Sequence, residues 1–207
     1  MNKSFYLLIT VLFVSSLSLT SCKETKEVDE YGSDWRARNE QFMDSLRTAY
    51  QAQPVGAGPL MEITPMSKPH DVNYRIYAKA VKGYEGVGEM ALYNDTVEVY
   101  YRGTLINNKM FDQNFKGTNP DPEINVPLKS LVNSFVQRGG VSGWTDVLQH
   151  MRVGDRWVVY FPWQVAYGSA GSLPKIPGYS TLIFDMNLIS ITAPKGPDIG
   201  AKQKERK

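Results

Sequence analysis

The stretch "VSGWTDVLQHMRVGDRWVVYFPWQVAYGSAGSLPKIPGYSTLIFDMNL", residues 141–188, decides the fold. Within it "GWTDVLQHM" sets Trp144, Val147, Leu148 and Met151 at i, i+3, i+4 and i+7, the spacing of one apolar helix face, and Gly154 follows as a C-cap. The period then shortens to that of a strand. "RWVVYF" alternates, and in "TLIFDMNLISI" Leu182, Phe184, Met186 and Leu188 share one face while Ile183, Asp185 and Asn187 share the other. Such alternation marks half-buried antiparallel strands. Between the two strands lies "VAYGSAGSLPKIPGYS", rich in small and turn-forming residues, with Tyr167 standing beside a glycine.

Towards the N-terminus the strand signals continue. "DTVEVYYRGTL", residues 95–105, puts Val97, Val99 and Tyr101 on one face and Glu98, Tyr100 and Arg102 on the other, so Tyr101 is expected to point inward; "YRIYAKAV", residues 74–81, is also β-prone. Several antiparallel strands with one short helix among them predict an α+β fold, a curved antiparallel β-sheet wrapped around that helix. Further out, "DWRARNEQFMDSLRTAYQAQ" places Trp35, Phe42, Leu46 and Tyr50 on one side of a helical period, with Ser33 or Asp34 to cap it. This predicts an N-terminal helical extension over residues 35–51, its stripe packing on the domain in preference to a second copy of the chain. Gly56, Gly58 and Pro59 end the pattern. The expected organisation is a helix and linker over 35–60, a folded domain over 70–193, and a solvated basic tail over 194–207.

Composition narrows the function. A chain of 207 residues, 42% hydrophobic and 21% charged, fits a globular protein with one main domain and extensions. A formal net charge of +2, with lysines and arginines spread among a similar number of acids, offers no face for nucleic acid. One cysteine and two distant histidines, His70 and His150, cannot build a zinc finger, a CxxC redox pair or an HExxH site, so no metal is expected.

The extreme N-terminus reads as an address. Lys3 precedes "FYLLITVLFVSSLSL", about the length of a signal-peptide core and too short and serine-rich for a membrane-spanning helix. The run ends in "LTSC", residues 19–22, which resembles the lipobox of bacterial lipoproteins, where the signal peptide is cut before a cysteine that then receives lipid. That resemblance implies a signal peptide over 1–21, lipidation of Cys22, and an outer-membrane lipoprotein facing the periplasm or the cell surface, anchored without crossing the membrane. The alternative is an ordinary signal peptide followed by a free thiol. Residues 22–34 would form a flexible acidic tether, since "KETKEVDEYGSD" holds five acids against two lysines and almost nothing to bury.

The strand and hairpin "VEVYYRGTLINNKMFD" and the whole of residues 141–188 resemble the FK506-binding-protein-type (FKBP-type) peptidyl-prolyl cis-trans isomerases, a resemblance that covers about residues 74–192. It implies an FKBP-like fold and a proline pocket lined by Tyr101, Phe111, Asp112, Val141, Trp144, Tyr167, Ile176 and Phe184. Trp144 would form the floor. Tyr167 would offer its hydroxyl to one carbonyl of the bound peptide and the Val141 N–H would bind another, while Tyr101 and Asp112 approach the wall facing the isomerising bond. No cofactor would be needed. Taken alone, each of these aromatics reads as core packing and Asp112 as a solvated turn residue.

Some positions depart from the family pattern. Ser172, Lys175 and Gly140 stand where less polar or larger residues are common, which makes the expected rim more polar. Residues 113–140 are longer than the usual connection; the arginine and second phenylalanine that often pack there have only Lys116 and Ile124 as candidates. The loop 168–180 is too short for an inserted flap domain. Three readings remain: a membrane-anchored isomerase assisting the folding of exported proteins, a proline-peptide binding or chaperone module with little turnover, and a structural lipoprotein. Macrolides of the FK506 type are further candidate ligands.

Overall fold

Alternation makes the centre of the sheet. In this computed structural model, which describes residues 31–137 and 140–194, β4 (Thr96–Leu105) and β9 (Leu182–Thr192) pair antiparallel along their length, from Thr96 opposite Thr192 to Leu105 opposite Leu182. The signal peptide, Cys22, most of the tether and nearly all of the tail lie outside the described residues. The expected inward set of β9, Leu182, Phe184, Met186 and Leu188, is buried throughout. Tyr101 is only half-buried, because its ring reaches the mouth of a cleft rather than the closed core.

Around this pair the sheet runs β1 (Met61–Ile63), β2 (Ile76–Ala80), β8 (Arg156–Phe161), β9, β4, β5 (Met110–Gln113), all antiparallel. β4 shares its outer edge between two partners: its second half pairs with β5, and its first half with β6 (Leu128–Leu131). A separate two-stranded ribbon joins β3 (Val87–Met90) to β7 (Arg152–Val153). The sheet therefore begins at Met61, ahead of residue 70, where the folded domain was expected to start.

The helices fill the remaining volume. α1 (Trp35–Ala52) docks on the sheet of its own chain. Its buried stripe is Trp35, Asn39 and Met43, and the expected Phe42 and Tyr50 lie beside that stripe, with ring centroids 5.9 Å from Tyr160 and 5.9 Å from Tyr77. Asp34 sits at the N-cap position but pairs with Arg38 at 3.1 Å instead of capping an N–H. α2 (Ser134–Gln137) is a single turn.

α3 (Gly143–Leu148) is the helix read from "GWTDVLQHM", and all six of its residues are buried rather than one face only. Its polar members are satisfied: Thr145 Oγ1 donates to Val132 O at 2.8 Å, and Asp146 Oδ1 accepts from the Met66 N–H at 3.0 Å. Burial raises the Asp146 pKa. Gly154 does not cap this helix; it turns the chain from β7 to β8 with φ +97.

Candidate functional site

Four strands, two helices and one loop converge on a cleft of about 470 Å³. β4 delivers Tyr101 and β9 delivers Phe184, their backbones two rungs apart in the ladder; β5 delivers Phe111 and Asp112. The approach to α3 delivers Val141 and α3 itself Trp144, while the loop from 165 to 181 delivers Tyr167 and Ile176. All eight residues expected at a proline pocket thus border one cavity.

The walls are aromatic and mutually tilted. The Trp144 ring lies 5.2 Å from Tyr101, 5.1 Å from Phe184 and 5.0 Å from Phe135. Phe111 meets Phe184 edge-on at 5.4 Å. Edge-to-face packing adds about 0.5–1.5 kcal/mol per pair beyond area burial and fixes ring orientation, so the surface offered to a ligand is rigid. A Cβ at position 103 would come within 2.5 Å of the Phe111 ring and 2.8 Å of Phe184, so only glycine lets the two rings meet over β4.

Polar groups are few and aimed. The Tyr101 hydroxyl donates to Asp112 Oδ2 at 2.8 Å, and Asp112 Oδ1 accepts the Gln113 N–H at 2.9 Å. Burial, then the bond to Asp112 and its charge, holds the Tyr101 phenol well above the ordinary tyrosine range. Burial and the same carboxylate raise the Tyr167 phenol too. Both hydroxyls are therefore protonated donors at neutral pH. Tyr101 spends its proton on Asp112, whereas the Tyr167 hydroxyl and the Val141 N–H have no hydrogen-bond partner among the described residues. The Trp144 indole N–H is buried and likewise meets no acceptor. Donors without acceptors around an aromatic cavity suit a ligand that brings carbonyl oxygens.

The loop owes its shape to its small residues. Gly171 has φ +71, and a Cβ there would come within 2.3 Å of Ile176 O. Ser172 and Ile176 exchange both backbone hydrogen bonds, at 2.7 and 3.0 Å, which turns the Ile176 side chain into the cleft. Lys175 Nζ donates to Phe111 O at 3.2 Å, tying the loop to β5 across the rim.

Several lining residues carried no readable signal. Leu128 and Phe135 from the 113–140 segment complete the wall, while the candidates offered there, Lys116 and Ile124, border a different cleft with Phe115. Phe135 belongs to a one-turn helix with no period to detect. Leu173 and Pro174 also line the mouth, with Leu173 75% exposed, so the rim is less polar than Ser172 and Lys175 alone suggest. Among the described residues no group of three or more His, Cys, Asp or Glu is placed to hold a metal ion.

Known proteins resemble this chain in sequence and fold. A family model for FKBP-type peptidyl-prolyl cis-trans isomerases matches residues 88–189. The peptidyl-prolyl cis-trans isomerase Mip of Coxiella burnetii is 38% identical over 106 residues, 51% of this chain and 41% of that protein. FkpA of Escherichia coli K12 is 37% identical over 121 residues, 56% of this chain and 40% of its own. The chain thus spans about two fifths of the length of these relatives. Among solved structures, a peptidyl-prolyl cis-trans isomerase of Pseudomonas syringae superposes with TM-score 0.53 and 25% identity, covering 75% of this chain and 95% of that one. Escherichia coli FkpA shares the fold with TM-score 0.55 at 23% identity, over 93% of this chain and 83% of its own. Residues 88–189, which hold every residue lining the aromatic cleft, form a domain of the FKBP-type peptidyl-prolyl cis-trans isomerase family.

Proposed function

We propose that the chain is a membrane-anchored peptidyl-prolyl cis-trans isomerase that binds X-Pro segments of exported proteins and assists their folding. The observation that carries this reading is the pairing of an aromatic cavity floored by Trp144 with a Tyr167 hydroxyl at its rim that no described residue engages. Rotation about an X-Pro amide loses resonance, a barrier of about 18–20 kcal/mol, and the twisted amide is less dipolar than either planar form. An apolar pocket therefore favours the twisted state relative to water. The pyrrolidine ring sits on Trp144 between Phe184 and Ile176, the Tyr167 hydroxyl and the Val141 N–H hold carbonyls on either side, and the Tyr101–Asp112 pair forms the wall past which the preceding residue turns. No covalent intermediate is required.

The anchor rests on "LTSC" and Cys22, and the location proposed with it is the outer membrane, towards the periplasm or the cell surface. Labelled fatty acid should enter the wild type and fail to enter Cys22→Ala; label in the variant, or none in the wild type, refutes the anchor. Macrolides of the FK506 type would compete for the same cavity, with Lys175 and Ser172 at the rim weakening them. Catalysis is tested by protease-coupled isomerisation of peptides with a hydrophobic residue before proline. Binding without acceleration would favour a proline-peptide binding module instead.

A further inference from the structure

The loop that carries Tyr167 and Ile176 is held at its return end by a part of the chain outside the matched family region. Trp35 Nε1 donates to Ser180 Oγ at 3.0 Å, and Ser180 Oγ donates onward to Pro177 O at 2.7 Å, next to Ile176. Asn39 is fully buried and uses both ends of its amide: Oδ1 accepts the Thr181 N–H at 2.7 Å, and Nδ2 donates to Trp35 O at 2.7 Å. Thr181 Oγ1 donates to Asn39 O at 3.4 Å. One turn away, the Arg36 guanidinium lies 4.5 Å over the Tyr179 ring, steadied by Glu40 at 2.8 Å.

Tyr179 links this contact to the cleft. Its backbone has φ +61, a left-handed conformation that a bulky residue adopts only where its surroundings impose it. Those surroundings are Arg36 on one side and Trp163, edge-on at 5.0 Å, on another. In that conformation the Tyr179 N–H reaches Gly168 O at 3.0 Å, so the return end of the loop is bonded to the residue beside Tyr167.

We propose that α1 is a brace for the substrate-binding loop, in which Asn39 and Trp35 are positioning residues for Tyr167 and Ile176. This rests on the reading of the cleft as an X-Pro site. The brace acts through population: where only a fraction of molecules holds the loop in its binding geometry, apparent affinity falls by that fraction while turnover of the bound complex is unchanged. α1 also offers its own control, because Tyr50 packs on Tyr77 about four turns along the helix from Trp35.

The experiment compares Asn39→Ala, Trp35→Phe and Tyr50→Ala in the otherwise intact chain, by steady-state kinetics on an X-Pro peptide and by amide hydrogen exchange. Asn39→Ala should raise KM by about fivefold or more and leave kcat within about twofold, as a drop of the competent fraction to a fifth requires. The Ile176 and Tyr179 amides should exchange about tenfold faster. Trp35→Phe keeps an aromatic ring in place of the indole, loses the donor, and should move both readouts the same way by less. Tyr50→Ala should lower Tm yet leave KM and loop exchange within about twofold of wild type. The brace is refuted if Asn39→Ala and Tyr50→Ala change KM and loop exchange alike, or if Asn39→Ala does not fold and Trp35→Phe leaves the loop amides at wild-type rates. A wild type with no isomerase activity would defeat the functional reading alone, and hydrogen exchange would still decide the brace.

Discussion

Tyr101 donates its hydroxyl proton to Asp112 Oδ2 across 2.8 Å, so the carboxylate orients the phenol instead of standing free to meet a ligand with both oxygens. Asp112→Val removes the acceptor and leaves a half-buried hydroxyl unpartnered. Hydrogen bonds to charged groups contribute about 1.5–3 kcal/mol, so kcat/KM should fall by roughly ten- to a hundredfold. Because the two residues act as one unit, Tyr101→Phe combined with Asp112→Val should be no worse than the poorer single variant. Additive losses measured in that cycle would show that Asp112 acts directly on the substrate.

The tyrosines set an alkaline limit. Tyr101 and Tyr167 are held above the ordinary phenol range, so both stay protonated and kcat/KM should be flat from neutral pH to about 10. The Tyr77 phenol is pushed up to about 12, chiefly by burial and then by Glu62. A raised folded-state pKa contributes stability that is complete below the unfolded value near 10 and is lost as pH climbs towards the folded one. Chemical denaturation should therefore show constant stability up to about pH 10 and a decline between about 10 and 12. A decline beginning near neutrality would contradict this.

Arg156 fastens the long 113–140 segment to the back of the sheet. It forms a two-pronged pair with Asp185 at 2.7 and 2.6 Å, donates to Asn119 Oδ1 and Thr118 O at 2.8 Å each, and is 5% exposed. Breaking a buried pair from one side costs about 3–5 kcal/mol; the partial exposure of Asp185 puts Arg156→Met at about 3 kcal/mol by urea denaturation. Arg156→Lys keeps the charge without the fork and should recover less than half of that. Full recovery by lysine would mean that charge alone matters.

The longer strands β2, β4, β8 and β9 and the place of α3 were legible because each repeats a period over several residues, and Leu182, Phe184, Met186 and Leu188 stand where alternation puts them; β1, β3, β6 and β7, two to four residues each, are too short to repeat one. The pocket was legible through ordered motifs rather than physics, since Trp144 or Tyr167 alone reads as core. Asn39 was not legible: a buried amide in an apolar stripe looks like a polar interruption until its partner at Thr181, far along the chain, is seen. The same holds for Phe135 and Arg156, whose places depend on contacts across the fold.

Deleting residues 1–60 should leave a folded domain of reduced stability, not an unfolded one, because β1 to β9 survive while α1 is lost. Removing α1 uncovers apolar surface once covered by Trp35 and Met43, and each fully buried large side chain contributes about 1.5–3 kcal/mol. One cooperative transition, lower by several kcal/mol, is expected. An unchanged midpoint would show that α1 adds nothing to the core.

The most direct test of the account is protease-coupled isomerisation by the wild type beside Tyr167→Phe and Trp144→Leu. The wild type should accelerate isomerisation of a peptide with a hydrophobic residue before proline. Tyr167→Phe should lose about 1 kcal/mol, less than about tenfold in kcat/KM, and Trp144→Leu should lose more, by removing the floor of the cavity. A folded wild type that binds the peptide but isomerises it no faster than buffer would contradict the central claim.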